Sequence, residues 1–308
     1  MTMSDAELST KARSLALALE PFTGQVYFSP ECHLRYQQLG FGASPGEFGP
    51  GVQRPDGPAY FCSRGSVMGQ VPGEVVAAAF GVFNPDVVIP AVSFGWTITD
   101  APTICGARTS GAVAQLERLI GPEPDGLDRA VELLERATDP LRPEGHPLFA
   151  GLRSQAVAGT TLGVAWQLAD QLREFRGDGH VNAWTCAGFD AVEIGLLTEQ
   201  YWGVPARSYI RSRAWTDEQL DVAGERLSAA GLVVDDALTA TGRDAREAVE
   251  VATDRQMRPV FEALGDEVDE LIAVIGPWSR AIQSGRGYPQ AGPHELAELG
   301  KRARPADE

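Results

Sequence analysis

The chain has 308 residues, 44% of them hydrophobic, and carries 42 acidic against 26 basic side chains for a net charge of −16. That length and composition suit one large or two ordinary folded domains and exclude a disordered chain. The charge balance sets nucleic-acid binding at a disadvantage, because such binding draws most of its affinity from Lys and Arg set against phosphate.

In chain order, the first segment, MTMSDAELSTKARSLALALE, is acidic and amphipathic where a secretory signal is basic and then apolar. With no run of eighteen apolar residues anywhere, the expected location is the cytoplasm, without membrane contact. The four cysteines, Cys32, Cys62, Cys105 and Cys186, form no C-x-x-C pair, so reduced thiols are expected. Ser4 precedes a helix predicted over residues 5–19, and PECHLRYQQLG predicts a second over 30–39. FGASPGEFGPGVQRPDGPAY reads as loop, GEVVAAAFGVF as a short buried helix, and DVVIPAVSFGWTI, interrupted by proline, as helix or irregular strand. SGAVAQLERLIG and LDRAVELLERATDP are short helices, and LRPEGHPLFAGL is a connection. TLGVAWQLADQL follows, its apolar residues at helical spacing around a buried stripe. A boundary at 140–160 divides the chain into 1–150 and 151–308.

The second half is the more legible. CAGFDAVEIGLLTEQYWG is a helix stopped by Gly203, and VPARSYIRSRA is a short helix or an extended lead-in. Thr216 caps the next helix, which ends at Ala230-Gly231, the glycine standing where a left-handed residue closes a helix. LVVDDALTATGRDAREAVEVATDRQMRPVFEALG then predicts strand, Asp-Asp turn, strand and a long amphipathic helix, the order of a winged helix-turn-helix.

This run, from RAWTDEQL to FEALG, resembles the C-terminal module of the actinobacterial SalK-type helix-turn-helix family. REFRGDGHVNAW carries that family's RGDGHV word, and YFSPE with the later YFCSRGSVMG resembles its N-terminal half. The resemblance spans most of the chain. It implies a mainly α fold of two winged-helix-like halves, packed through long amphipathic helices and bearing short β-hairpin wings. Members are labelled DNA-binding by fold, a label that does not by itself establish activity.

The helix that would read DNA, 216–230, holds Asp217, Glu218, Asp221 and Glu225 against Arg226 alone, and the wing holds Asp235 and Asp236. Both elements would repel phosphate. Arg207, Arg211 and Arg213 form the nearby basic cluster and can pair with those carboxylates as readily as with phosphates. They are the DNA contacts of the alternative reading, a dimeric, ligand-responsive, MarR-like transcriptional regulator.

In RGDGHV, Gly177 and Gly179 flank Asp178 and permit positive φ at a junction between two helices. Asp178 is read as the cap of a helix starting near Val181, with His180 in its first turn, where the helix dipole keeps the imidazole neutral. The functional reading makes His180 a general base, Asp178 its orienter, and Arg176 or Arg64 a clamp for an anionic or carbonyl group. The structural reading makes them ion pairs and a buried hydrogen-bonder. Tyr60, Phe61 and Arg64 either line a pocket or pack, and Asp254, ahead of a kink at Pro259, is expected to point inward to the ligand. Glu31 and His33 point apart on their helix, so no metal pair is expected. Phosphate-loop, dinucleotide, zinc-protease and serine-hydrolase words are missing, and no cofactor is expected. The preferred function is small-molecule binding, in its enzymatic form with acid-base catalysis, on a scaffold without DNA affinity. A homodimer is an option for this protein, and an interaction subunit without chemistry is the third reading.

Overall fold

Helix starts are set by the side chains just ahead of them. In the computed structural model, which describes residues 3–289, Ser4 and Glu7 form a reciprocal capping box that opens α1 (Asp5–Gly24). Ser29 caps α2 (Pro30–Leu39) by accepting from Cys32 N at 3.2 Å. The Gly/Pro-rich passage expected as loop holds a hairpin, β1 (Glu47–Gly49) with β2 (Val52–Gln53), turned at Gly51 with φ +82°. Then come α3 (Gly57–Gly65) and α4 (Gly73–Phe80).

The proline-interrupted segment is helical. Asn84 Oδ1 accepts from Asp86 N at 3.0 Å to start α5 (Pro85–Ile98), and the helix runs through Pro90, burying Val88, Val92 and Gly95 on one side. After it follow α6 (Ala101–Ile120), α7 (Leu127–Thr138), α8 (Pro147–Arg153) and α9 (Thr161–Cys186). Then α10 (Ala191–Trp202), α11 (Ser208–Arg211) and α12 (Asp217–Ala229) lead to a second hairpin, β3 (Val233–Val234) with β4 (Ala237–Leu238). Thr216 caps α12 as the sequence predicts, and Gly231 closes it with φ +70°. Asp235 and Asp236 turn the hairpin with φ of 50° and 58°. The long last helix is broken: α13 (Ala240–Gln256) and α14 (Arg258–Leu264) meet at Met257, two residues ahead of Pro259, before α15 (Glu267–Ser284).

The protein is mainly helical, with two small two-stranded sheets among the described residues. One apolar core takes Leu8 and Phe22 of α1, Leu133 of α7, Phe149 of α8, Trp166 and Leu172 of α9, Phe261 of α14 and Ile275 of α15, drawing on both sides of residue 150. Around α10 and α12 lie smaller clusters, such as Val192, Ile210, Leu220 and Ala223. No single helix among the described residues is long and apolar enough to cross a membrane.

Through the core passes α9, packed on α1, α4, α6, α7, α8 and α13. It carries Asp170, Glu174 and Asp178 at four-residue spacing, only 0%, 2% and 2% exposed. That spacing aligns them on one helix face. Buried carboxylates require donors, and these three obtain them from three different elements. Arg108 Nη2 of α6 reaches Asp170 Oδ2 at 2.8 Å, Arg64 of α3 reaches Glu174, and the start of α8 reaches Asp178.

Candidate functional site: an arginine-lined aromatic cleft

RGDGHV is not a junction. It lies within the 26-residue α9, and neither Gly177 nor Gly179 has positive φ. Two helix-interior glycines cost about 1 kcal/mol each relative to alanine, a cost that packing on the neighbouring helices overrides. Gly179 serves a close approach: Gln256 Nε2 donates to its carbonyl at 2.7 Å, and a β-carbon there would lie 3.1 Å from Gln256 Oε1.

Beside this stretch is a cleft of about 780 Å³. Its α9 wall presents Arg173, Arg176, Asp178 and His180, and facing walls come from Tyr60, Phe61 and Arg64 of α3 and from the Tyr209–Arg213 segment. The structure thus gathers Arg64, Tyr60, Phe61, Arg176, Asp178, His180, Arg211 and Arg213 at one cavity. Six arginines and nine Phe or Tyr residues line it, against the two carboxylates of Glu20 and Asp178.

Asp178 caps a helix, but not its own. Its Oδ2 accepts from Leu148 N and Phe149 N, each at 3.0 Å, at the start of α8, where the N-cap residue His146 supplies no side-chain bond. The other oxygen, Oδ1, is buried without a partner. Burial pushes the carboxyl up to about 7, against the pull of the two amides.

Nor does Asp178 orient His180. Two residues apart on a helix, their side chains diverge, and His180 Nδ1 instead meets Thr253 Oγ1 of α13 at 3.0 Å. Thr253 donates its hydroxyl proton to Val249 O at 2.8 Å, so it accepts from His180, which places the proton on Nδ1 and leaves Nε2 a bare acceptor. Burial lowers the imidazole to about 4. The ring is neutral at physiological pH as expected, by desolvation and not by a helix dipole.

Both expected clamps are already matched by carboxylates. Arg64 grips Glu174 with two bonds, Nε to Oε1 at 3.0 Å and Nη2 to Oε2 at 2.7 Å, while its guanidinium lies 4.4 Å from the Phe80 ring. Arg173 joins Glu174 at 2.8 Å and Glu20 at 2.9 Å, and Tyr27 OH donates to Glu174 at 3.2 Å. Burial alone would raise the Glu174 carboxyl, yet Arg64 and Arg173 hold it down at about 2. Arg176 Nη2 meets Glu250 at 3.1 Å and Asp254 at 3.0 Å. Asp254 does not line the cleft: fully buried, it is held behind the wall by Arg176 and by Arg13 at 2.8 Å, because α13 lies flat on α9. Glu31 and His33 are likewise apart from the site, Glu31 on Arg118 at 2.5 Å and His33 Nε2 against Tyr27 O at 3.1 Å.

Sequence reasoning missed Tyr27, Glu174, Arg173, Tyr209 and Thr253. The signal for Glu174 was present, since Asp170, Glu174 and Asp178 recur every four residues inside an apolar helix pattern. Tyr209 and Thr253 had no local signal.

The basic cluster ahead of α12 splits. Arg207 pairs with Asp221 and, at 3.6 Å, with Asp217, and Arg211 pairs with Asp217 at 2.6 Å. Arg226 is held by Asp190 and by Glu193 at 2.8 Å. Arg213 turns into the cleft, its guanidinium 4.8 Å from the Phe83 ring and 4.4 Å from the Tyr209 ring. The same segment is tied to the turn after α4: Asn84 N donates to Arg213 O at 3.0 Å, Asn84 Nδ2 to Ala214 O at 3.1 Å, and Trp215 Nε1 to Val82 O at 2.9 Å.

Residues 12–289 match a helix-turn-helix family. The chain belongs to that family. No curated protein and no solved structure matches it. Among the described residues, the helix-hairpin-helix order over residues 217–256 follows the short α11 directly, with α12 acidic on its exposed side.

Proposed function

We propose that this protein binds an anionic small molecule in the arginine-lined cleft, on a helix-turn-helix scaffold of the SalK type whose α12 does not read DNA. The observation that carries the reading is Arg213, a guanidinium held by aromatic rings with no carboxylate partner among the described residues, in a cleft that gathers six arginines, four of them already matched by carboxylates. The volume of the cleft, about 780 Å³, lies within the range of ligand pockets. His180 Nε2 and Asp178 supply an acceptor and a carboxyl that titrates near neutrality, the pair an acid-base reaction uses. In this reading the two halves, 1–150 and 151–308, close on the cleft from either side.

Membership in a helix-turn-helix family favours a second reading, a ligand-responsive regulator that binds DNA. Against it stands the pairing of Arg207, Arg211 and Arg226 with carboxylates, which leaves α12 no unpaired cation to offer phosphate.

Two measurements separate these readings. A thermal-unfolding screen of anionic, neutral and cationic small molecules is expected to return anions that stabilise the protein; stabilisation by none of them sinks the ligand reading. Titration with random duplex DNA across a salt series is expected to show no binding at low salt. Affinity that falls steeply with salt would establish phosphate contacts and return α12 to DNA.

A further inference from the structure

The cations of the cleft are not equivalent. Arg64, Arg173, Arg176 and Arg211 each face a carboxylate. Arg213 does not. Its Nε is buried without an acceptor, and no ion pair or side-chain hydrogen bond engages its guanidinium among the described residues. What holds it are the rings of Phe83 and Tyr209. Ring contacts take up a guanidinium's face and leave its in-plane N–H donors free, and that edge matches the two oxygens of a carboxylate. Arg54, the other lining arginine without a carboxylate, is exposed at the rim, 5.1 Å from the Phe48 ring, and adds favourable charge without a buried edge.

Three further groups in the cleft keep an unused site. Asp178 Oδ1 and Arg176 Nε are buried without a partner, and His180 Nε2, with the ring proton on Nδ1, is an acceptor that no hydrogen bond engages among the described residues. A hydroxyl, which both donates and accepts, satisfies Asp178 or His180. The apolar part of the lining is aromatic: the Tyr60 ring lies 5.2 Å from Tyr27, 5.3 Å from Phe61 and 5.6 Å from Phe83. Ring clusters of this tilted and edge-to-face kind accept another aromatic ring in similar geometry.

We infer that the ligand is a hydroxylated aromatic carboxylate, its carboxylate paired with Arg213, its ring against the Tyr60–Phe83 wall and its hydroxyl at His180 Nε2 or Asp178. This rests on the ligand-binding reading above and assigns Arg213 to the cleft, not to DNA. A planar two-oxygen group is favoured because Arg213 is partly buried and offers an unpaired guanidinium edge, whereas a phosphate dianion calls for several cations at once.

The test is calorimetric titration of the full chain with three acids of increasing length: 4-hydroxybenzoate, 4-hydroxycinnamate and 4'-hydroxybiphenyl-4-carboxylate. Each is compared with its methyl ester and its des-hydroxy acid, on the wild type, Arg213→Gln and Arg213→Lys. At least one acid is expected to bind, its ester and its des-hydroxy acid more weakly, the ester by about tenfold or more. Arg213→Gln is expected to lose a similar factor and Arg213→Lys to recover part of it, as removal of a charge-assisted hydrogen bond requires. The ester comparison needs no variant, so it stands even where a substitution disturbs folding. Equal binding of acid and ester, or undiminished binding of the acid by a folded Arg213→Gln, overturns the inference and leaves the cleft a ligand site. So does failure of all three acids while other anions stabilise the protein in the broad screen. Failure of every compound in both experiments overturns the inference and the ligand reading together.

Discussion

Asp178 on α9 accepts the amide N–H of Phe149 on α8 at 3.0 Å. The carboxylate that caps α8 is thus supplied from another helix, 29 residues along the chain. Asp178→Ala is expected to cost about 1–2 kcal/mol, the loss of an N-cap, and Asp178→Asn, which keeps an acceptor oxygen, much less. Urea unfolding of both variants at acidic pH, where Asp178 is protonated, checks this. Equal losses would show that the bond to α8 contributes nothing.

The pH dependence of stability separates Asp178 from His180. Asp178 is raised to about 7 from an ordinary value of 3.8, so the folded protein holds a proton that the unfolded chain releases. Its contribution is full below about pH 4 and lost as pH rises through about 7. Relative to wild type, Asp178→Asn is therefore expected to gain stability across that window, by up to about 4 kcal/mol at 1.36 kcal/mol per pKa unit. His180, lowered from 6.5 to about 4, acts in the opposite sense: its contribution is full above about pH 6.5 and lost as pH falls through about 4. Relative to wild type, His180→Gln is expected to gain stability as pH falls through that range. Unfolding curves of the three proteins from pH 4 to 8 test both, and parallel curves would refute the two shifts.

The Thr253 hydroxyl donates to Val249 O and accepts from His180, so the imidazole carries its proton on Nδ1. Long-range nitrogen-proton NMR spectra at pH 7 are expected to show Nδ1 protonated and Nε2 bare. Thr253→Val leaves the Nδ1–H without its acceptor and is expected to destabilise by about 1–3 kcal/mol. The opposite tautomer would remove His180 Nε2 as a proton acceptor in the cleft.

Glu174 neutralises Arg64 and Arg173 while only 2% exposed. Glu174→Gln strands the Arg64 guanidinium and is expected to cost about 3–5 kcal/mol, with Arg64→Gln added to it recovering part. Additive losses in that double-variant cycle would mean that the two residues do not interact.

Asn84 binds the Arg213–Gln219 stretch through its backbone and side chain, with Nδ2 3.3 Å from Gln219 Oε1. Asn84→Ala also removes the cap of α5. It is expected to raise amide exchange in α12 while α1 and α9 stay protected. Unchanged exchange in α12 would uncouple that helix from the cleft wall.

Much of the secondary structure was legible in the sequence because its causes are local. The caps at Ser4 and Thr216, the close of α12 at Gly231 and the Asp235–Asp236 hairpin each depend on residues within a few positions of one another. The clustering of Tyr60, Phe61, Arg64 and Arg176 with RGDGHV was also in view, as residue types suited to one site. The backbone at Gly177 and Gly179 was expected to turn, because glycine permits positive φ; instead the packing of α9 on α1, α4, α6, α7, α8 and α13 keeps it helical.

The sequence by itself determined an acidic, helix-rich chain with several helix caps in place, and a motif dense in charge. Only the tertiary structure decided which charges are neutralised and which remain free. Arg64 finds Glu174 across 110 residues, Arg176 finds Asp254 across 78, and Arg213 finds two rings and no carboxylate. A helical period fixes the direction in which a side chain points. Its partner in space depends on how the helices pack, and packing is set by the whole buried surface at once.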